Sequence, residues 1–137
     1  LPIIVFHTGN LYLYLFERGH MEDWEIEFEW LKTKHFIKDN FGMDKLPDLN
    51  GVLLLIGIQE LGFTPDTSKK EVKQDLMHIG VCTLLSEAGY FEYDGVDLDG
   101  WPHFRKLKPV EVVGEKEQEQ LLVREVITYF KKNQTQS

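Results

Sequence analysis

The stretch that decides the fold is PDLNGVLLLIGIQELG, residues 47–62. It predicts a helix over Leu49–Leu61, because the Asp48 carboxylate can accept from the free amides of the first turn and the last glycine can end the helix. A helix that is apolar nearly all round belongs at the centre of a fold. Gly51 and Gly57 weaken helix propensity, so we expect them to permit close approach by a neighbouring element.

A first helix is predicted over residues 22–41, which contain no Gly or Pro. Four side chains fall on one face of this helix, at steps of four, three and four: Trp24, Phe28, Leu31 and His35. The rival interpretation is a strand over residues 24–30, where apolar and acidic residues alternate. We favour the helix because the apolar pattern continues to Phe41 over some five turns.

A third helix is predicted from a capping box at Ser68–Glu71, ending near Ala88 before Gly89. Its inner stripe consists of Val72, Leu76, Ile79, Thr83 and Leu84.

A hairpin and a final helix complete the predicted fold. Residues 90–93 and 101–107 read as paired strands joined by an Asp- and Gly-rich turn. Residues 110–113 predict a further short strand, 115–132 a helix, and 133–137 a polar tail. The expected class is mainly α with a small antiparallel β-hairpin (α+β), as a single domain over 21–132: three helices, the hairpin and a C-terminal helix.

The first twenty residues are interpreted separately. Gly19-His20-Met21 resembles residues that an expression vector leaves behind, so we expect 1–20 to be vector-derived and the native sequence to begin at Met21. The alternative is a genuine N-terminal hairpin formed by residues 3–16.

The chain's 137 residues carry a formal charge of −8, which opposes non-specific binding to nucleic acid or anionic membrane. Its one cysteine, Cys82, excludes an internal disulfide and a thiolate-rich zinc site. No apolar run is long enough for a membrane helix. We therefore expect a cytoplasmic protein without a cofactor.

Aromatic side chains concentrate on the predicted hairpin: Tyr90, Phe91, Tyr93, Trp101, His103 and Phe104. Helices could cover them, or they could form a surface for a protein partner or a second copy. Because no complete catalytic constellation is present, we favour a non-catalytic interaction or assembly module, a possible homodimer, over an enzyme.

A winged-helix DNA-binding regulator is the first alternative, since three helices precede a hairpin. Its candidate contacts are Lys69, Lys70, Lys73 and Gln74 on the third helix, with Arg105 and Lys106 on the hairpin. The overall charge and the acidic turn between the strands argue against nucleic acid as a partner.

A metal-dependent enzyme is the second alternative. Asp75 and His78 are three residues apart and share a helix face, and His35 and Glu60 could complete a site only if the fold brought them near. The competing interpretation is a boundary histidine with a local acid. The turn at residues 94–100 fails the calcium-loop template, which leaves a turn role for its Asp and Gly residues.

Four sequence blocks resemble a small bacterial protein family of unknown function: residues 47–50, 56–62, 73–79 and 99–103. The resemblance covers roughly residues 22–130. It implies a bacterial cytoplasmic protein and carries over no catalytic or binding residue.

Overall fold

The structure, a computed structural model, describes residues 22–112 and 114–135, with side chains through Lys132. Within these residues it has four helices: α1 (Asp23–Asn40), α2 (Leu49–Leu61), α3 (Lys70–Glu87) and α4 (Glu115–Thr135). Strands β1 (Phe91–Val96) and β2 (Pro102–Lys106) form an antiparallel hairpin between α3 and α4. The predicted class, mainly α with a small hairpin, is confirmed. The expectations for residues 1–20 lie outside the described residues.

Helix α2 lies at the centre, as predicted. Asp48 Oδ1 accepts from the Gly51 amide at 2.8 Å, and Gly62 ends the helix at φ 81°. Val52 and Ile56 are fully buried in the main core, which also takes side chains from α1, α3 and α4. Among the helices described, none is long and apolar enough to cross a bilayer.

Two glycines bring α2 and α3 into backbone contact. A Cβ added at Gly57 would lie 2.0 Å from the Leu76 carbonyl oxygen, and one at Gly80 would lie 2.3 Å from the Leu53 carbonyl oxygen. The close approach expected at Gly57 is therefore confirmed. The expectation for Gly51 is wrong, since a Cβ there would meet only the capping segment of its own helix, residues 47–48.

Helix α1 forms as a helix, but its predicted apolar face is not the buried one. Trp24, Phe28 and Leu31 are exposed, and the opposite face packs inward through Ile26 and Ile37, together with Glu29 and Thr33. The inward positions carry shorter side chains and one carboxylate, which forms an ion pair with a lysine.

That carboxylate belongs to Glu29, which is 3% exposed. One of its oxygens lies 3.1 Å from Lys131 Nζ on α4, and the other lies 3.7 Å from Lys32 Nζ one turn away. Because a buried charge is tolerated only when it is paired, this ion pair joins the outer helices α1 and α4.

Local details at the ends of three elements differ from prediction. The capping box at Ser68–Glu71 does not form: the Ser68 hydroxyl donates to Asp66 Oδ1 at 2.6 Å, an acceptor only two residues away, and Lys69 takes the N-cap position. Residues 110–112 are not a strand. Helix α4 continues to Thr135, past the predicted start of the polar tail.

Candidate functional site

A cavity of about 430 Å³ lies between α3 and the hairpin. It brings together two groups of residues that the sequence suggested for different roles. Its lining residues are Asp75, His78, Ile79, Asp97, Trp101, Pro102, His103 and Phe104. The proposed metal pair and part of the proposed aromatic surface therefore face the same space.

Trp101 and Phe104 form the cavity's aromatic wall. They are placed there by the alternation of side chains along β2 and by packing against a small apolar cluster. Along β2, Pro102 and Phe104 are half-buried, whereas His103 between them is exposed. Phe104 and Trp101 pack against the buried cluster that contains Leu76. The wall is held at its outer end by Phe63, whose ring meets that of Trp101 edge-on at 6.0 Å between centroids.

Asp97 organises the turn of the hairpin and the orientation of His103. Its Oδ1 accepts from the amides of Asp99 at 2.9 Å and Trp101 at 3.0 Å. Its Oδ2 lies 3.0 Å from His103 Nε2, which must donate because an ionised carboxylate only accepts. The bond from His103, followed by the amide bonds, lowers the pKa of Asp97 below its ordinary value. The turn role suggested by sequence is confirmed.

On the opposite wall, Asp75 and His78 project from α3. Both side chains are exposed, and within the part of the chain described no hydrogen bond or ion pair engages the Asp75 carboxylate. His78 Nε2 lies 3.5 Å from Cys82 Sγ. Burial raises the pKa of the Cys82 thiol, so the thiol stays protonated and the pair is not an activated nucleophile.

The residues considered as further metal ligands lie elsewhere. His35 is exposed on α1, and Glu60 accepts from the Tyr129 hydroxyl at 2.8 Å. Among the described residues no group of three or more His, Cys, Asp or Glu side chains is placed to hold a metal ion.

The hairpin aromatics are covered only in part. Trp101 and Phe104 are half-buried against α3, and Tyr90 and Phe91, where β1 begins, are also half-buried. Tyr93 remains 57% exposed, with its ring edge-on to Phe104 at 5.9 Å. His103 is exposed above the cavity. Tyr93 pairs with Phe104 across the hairpin, so both side chains lie on the face of the hairpin that is turned towards α3, and the open aromatic surface lies on that face and at the cavity.

The two basic groups considered for nucleic acid lie at opposite ends of α3. Lys69, Lys70, Lys73 and Gln74 are exposed at its N-terminus. Lys106 pairs with Phe91, after the C-terminus of the helix, and the 18 residues of α3 span about 27 Å. Arg105 is already ion-paired with Glu92. Because the carboxylates of the cavity lie between these groups, they do not form one positive face.

Sequence reasoning did not connect Asp97 with Asp75. They are 22 positions apart, and neither periodicity nor a motif links a helix face to a hairpin turn. The chain matches no protein-family model, no curated protein and no solved structure. The resemblance to a bacterial family of unknown function therefore stays a prediction.

Proposed function

We propose that this protein is a non-catalytic interaction module that receives an arginine side chain of a partner protein in the cavity between α3 and the hairpin. The observation that carries the proposal is the meeting of two carboxylates, Asp75 and Asp97, with the rings of Trp101 and Phe104 in one open space. A guanidinium group hydrogen-bonds carboxylates in a planar fork and stacks on aromatic faces. Few other side chains would use both features.

The contacts of each cavity residue indicate its role in binding the arginine side chain. The Asp97 carboxylate is occupied by the turn and by His103, so it supplies negative charge and a fixed wall more than a new hydrogen bond. The Asp75 carboxylate is unengaged by described residues and is the direct acceptor. Trp101 and Phe104 offer the apolar sides that the methylene stem of an arginine covers.

The charge of the chain favours the same class of partner. With a net charge of −8, the protein attracts basic surfaces and speeds their encounter at low salt. The cavity lies at the small end of the range for ligand sites, which fits a single side chain presented from a partner's surface.

Nuclear magnetic resonance titration of the full chain tests the proposal with N-acetyl-arginine methylamide and, as the matched neutral probe, N-acetyl-citrulline methylamide. We expect the arginine probe to shift the indole signal of Trp101 and the ring signals of His103, and the citrulline probe to leave them unchanged. Asp75→Asn should weaken binding about three-fold, as expected for an exposed ion pair. Asp99→Asn removes the same charge from an exposed position outside the cavity lining and serves as the control.

Equal shifts with both probes, or an Asp75→Asn variant that binds as tightly as the unmodified chain, would contradict the proposal. Saturable binding of zinc at micromolar concentration that is lost in both Asp75→Asn and His78→Ala would replace it with the metal-site alternative.

A further inference from the structure

A second surface, independent of the cavity, lies on α1. Three large apolar side chains stand out from one face of this helix: Trp24 is 66% exposed, Phe28 54% and Leu31 45%. His35 extends the same face by one turn and is also exposed. We name Trp24, Phe28, Leu31 and His35 the outer stripe. Adjoining exposed apolar side chains of this size mark interaction surfaces.

The outer stripe takes no part in the packing of α1 against the other helices that the structure describes. The opposite face, which includes Ile26 and Ile37, is buried in the cores shared with the other helices. Glu29 on that face is ion-paired with Lys131 of α4. Within residues 22–112 and 114–135, the stripe therefore faces away from the elements that pack against α1.

The spacing of the outer stripe is the same in both directions along the helix. Its steps are four, three and four residues, so its midpoint lies between Phe28 and Leu31. If a second copy of α1 lay antiparallel across this midpoint, Phe28 of each copy would meet Leu31 of the other, and Trp24 would meet His35. A two-fold interface requires this kind of self-complementary surface.

The charges beside the stripe have the same symmetry. Helical spacing puts Glu27 and Lys34 on one side of the stripe, and Glu25 and Lys32 on the other. In an antiparallel two-fold pair each side meets the same side of the second copy. Glu27 would then approach Lys34 of the other copy, which in its own chain lies over the Trp30 ring. Glu25 would approach Lys32, which in its own chain lies near Glu29 and over the Phe28 ring. A parallel pair would bring acid against acid, so the charges select the antiparallel orientation.

We propose that two copies of this chain associate through the outer stripe of α1, antiparallel and across a two-fold axis. This surface differs from the cavity of the proposed function, and either proposal can hold without the other. It also differs from the hairpin aromatics that the sequence suggested as a self-association surface.

The size of the stripe indicates how strong the contact is. From the area of aromatic side chains and their exposed fractions, the three apolar residues of both copies together offer roughly 700 Å². Stable interfaces bury about 1,200 Å² or more, so the flanking ion pairs are needed and the dimer is weak. We expect a reversible, concentration-dependent dimer with a dissociation constant in the micromolar range.

Sedimentation equilibrium of the full chain from about 5 to about 500 µM tests this, a range that brackets micromolar affinity. Phe28→Asp should weaken the dimer by about 100-fold or more, because the substitution enters the interface twice and introduces charge at its centre. Leu98→Asp is the matched control, since Leu98 is fully exposed on the hairpin turn, and it should leave the dissociation constant within about two-fold.

Charge reversal tests the antiparallel orientation in variants whose apolar stripe is intact. Glu27→Lys and Lys34→Glu should each weaken the dimer about ten-fold, and the double variant should return to within about three-fold of the unmodified chain. Circular dichroism of each variant verifies that α1 is retained.

Four results would overturn the proposal. The first is a chain that stays monomeric at the highest concentration, and the second is a dimer whose dissociation constant does not change with Phe28→Asp. The third is an equal change of the dissociation constant with Phe28→Asp and Leu98→Asp. The fourth is a double charge variant whose dimer is as weak as that of the single variants. A monomer whose melting temperature falls with Phe28→Asp would also overturn it, because the stripe would then be covered within the chain.

Discussion

Helix α3 contacts α2 and the hairpin in two different ways. Towards α2 the contact is close, with Gly57 and Gly80 each facing a backbone carbonyl of the other helix. Towards the hairpin the helix presents Asp75 and His78 to an open cavity. The contact with α2 has no space for a larger side chain at either glycine, and it sets how closely the two helices lie. The contact with the hairpin depends on the Asp97 turn and on the rings of Trp101 and Phe104, and it leaves polar groups available to a partner.

The largest effect is expected where the close contact is broken. In Gly57→Ala the added methyl group would overlap the carbonyl oxygen of Leu76, so the two helices must move apart. Overpacking against backbone typically costs 1–3 kcal/mol and occasionally more, and we expect the upper end, about 3 kcal/mol, in the free energy of unfolding. Chemical denaturation followed by circular dichroism measures it.

Gly51→Ala is the control for that prediction. A Cβ at Gly51 meets its nearest neighbour, Asp48 Oδ1, at 3.3 Å, and alanine favours the helix. We expect a change within about 1 kcal/mol. Equal losses for Gly51→Ala and Gly57→Ala would show that the close contact is not what makes Gly57 necessary.

A smaller effect should follow when a cation is removed from the buried ion pair. Lys131→Met leaves the buried Glu29 carboxylate with only the more distant Lys32. Breaking a buried pair costs 3–5 kcal/mol, and because Lys131 is 22% exposed and Lys32 remains, we expect about 2 kcal/mol in the free energy of unfolding.

The matched variant on the hairpin is Arg105→Met, which breaks the exposed pair with Glu92. Exposed ion pairs are screened by solvent and contribute little to stability, so this variant should lose less than half as much as Lys131→Met. Comparable losses would contradict the distinction between the packed helices and the open hairpin.

The smallest effect is a dependence of the hairpin on acid. Because the folded-state pKa of Asp97 is lowered, its contribution to stability is fully present above its ordinary value, about 3.9, and is lost as the pH falls through the lower folded value. In Asp97→Asn this part of the acid dependence should disappear. The Trp101 indole signal, followed by nuclear magnetic resonance from neutral pH down to about pH 2, reports it.

Asp99→Asn provides the comparison for the acid titration, since only the backbone amide of Asp99 takes part in the turn. It should keep the acid dependence of the unmodified chain. If Asp97→Asn and the unmodified chain lose the hairpin over the same pH range, the turn does not depend on the Asp97 carboxylate.

Prediction from sequence succeeded where the signal was local and strong. The run over residues 47–62 contains an N-cap, a glycine that ends the helix, and apolar residues on every side. The predicted first and last residues of α2 are therefore the observed ones. The capping box at Ser68 does not form because the helix begins one residue later than predicted, with Lys69 as its N-cap, and the Ser68 hydroxyl donates to Asp66 in the segment before the helix.

The candidate site could be predicted only as separate parts. The sequence singled out Asp75 and His78 by their spacing, and the aromatic residues around Trp101 by composition. That these groups share a cavity depends on how the hairpin lies on α3, which periodicity does not encode. The exposed face of α1 was missed for a related reason: its largest apolar residues share a face, and sequence gives no sign that the protein uses the other one.

By itself the sequence determined the order of the four described helices, the hairpin and the central position of α2, because these depend on local capping, turn geometry and apolar runs. Only the tertiary structure decided which face of α1 is buried, which glycine touches a neighbour, and that Asp97 and Asp75 line one cavity. Each of those depends on contacts between residues far apart in the chain. The energies of these contacts are comparable to those of alternative arrangements, so the arrangement that forms depends on the packing of the whole protein.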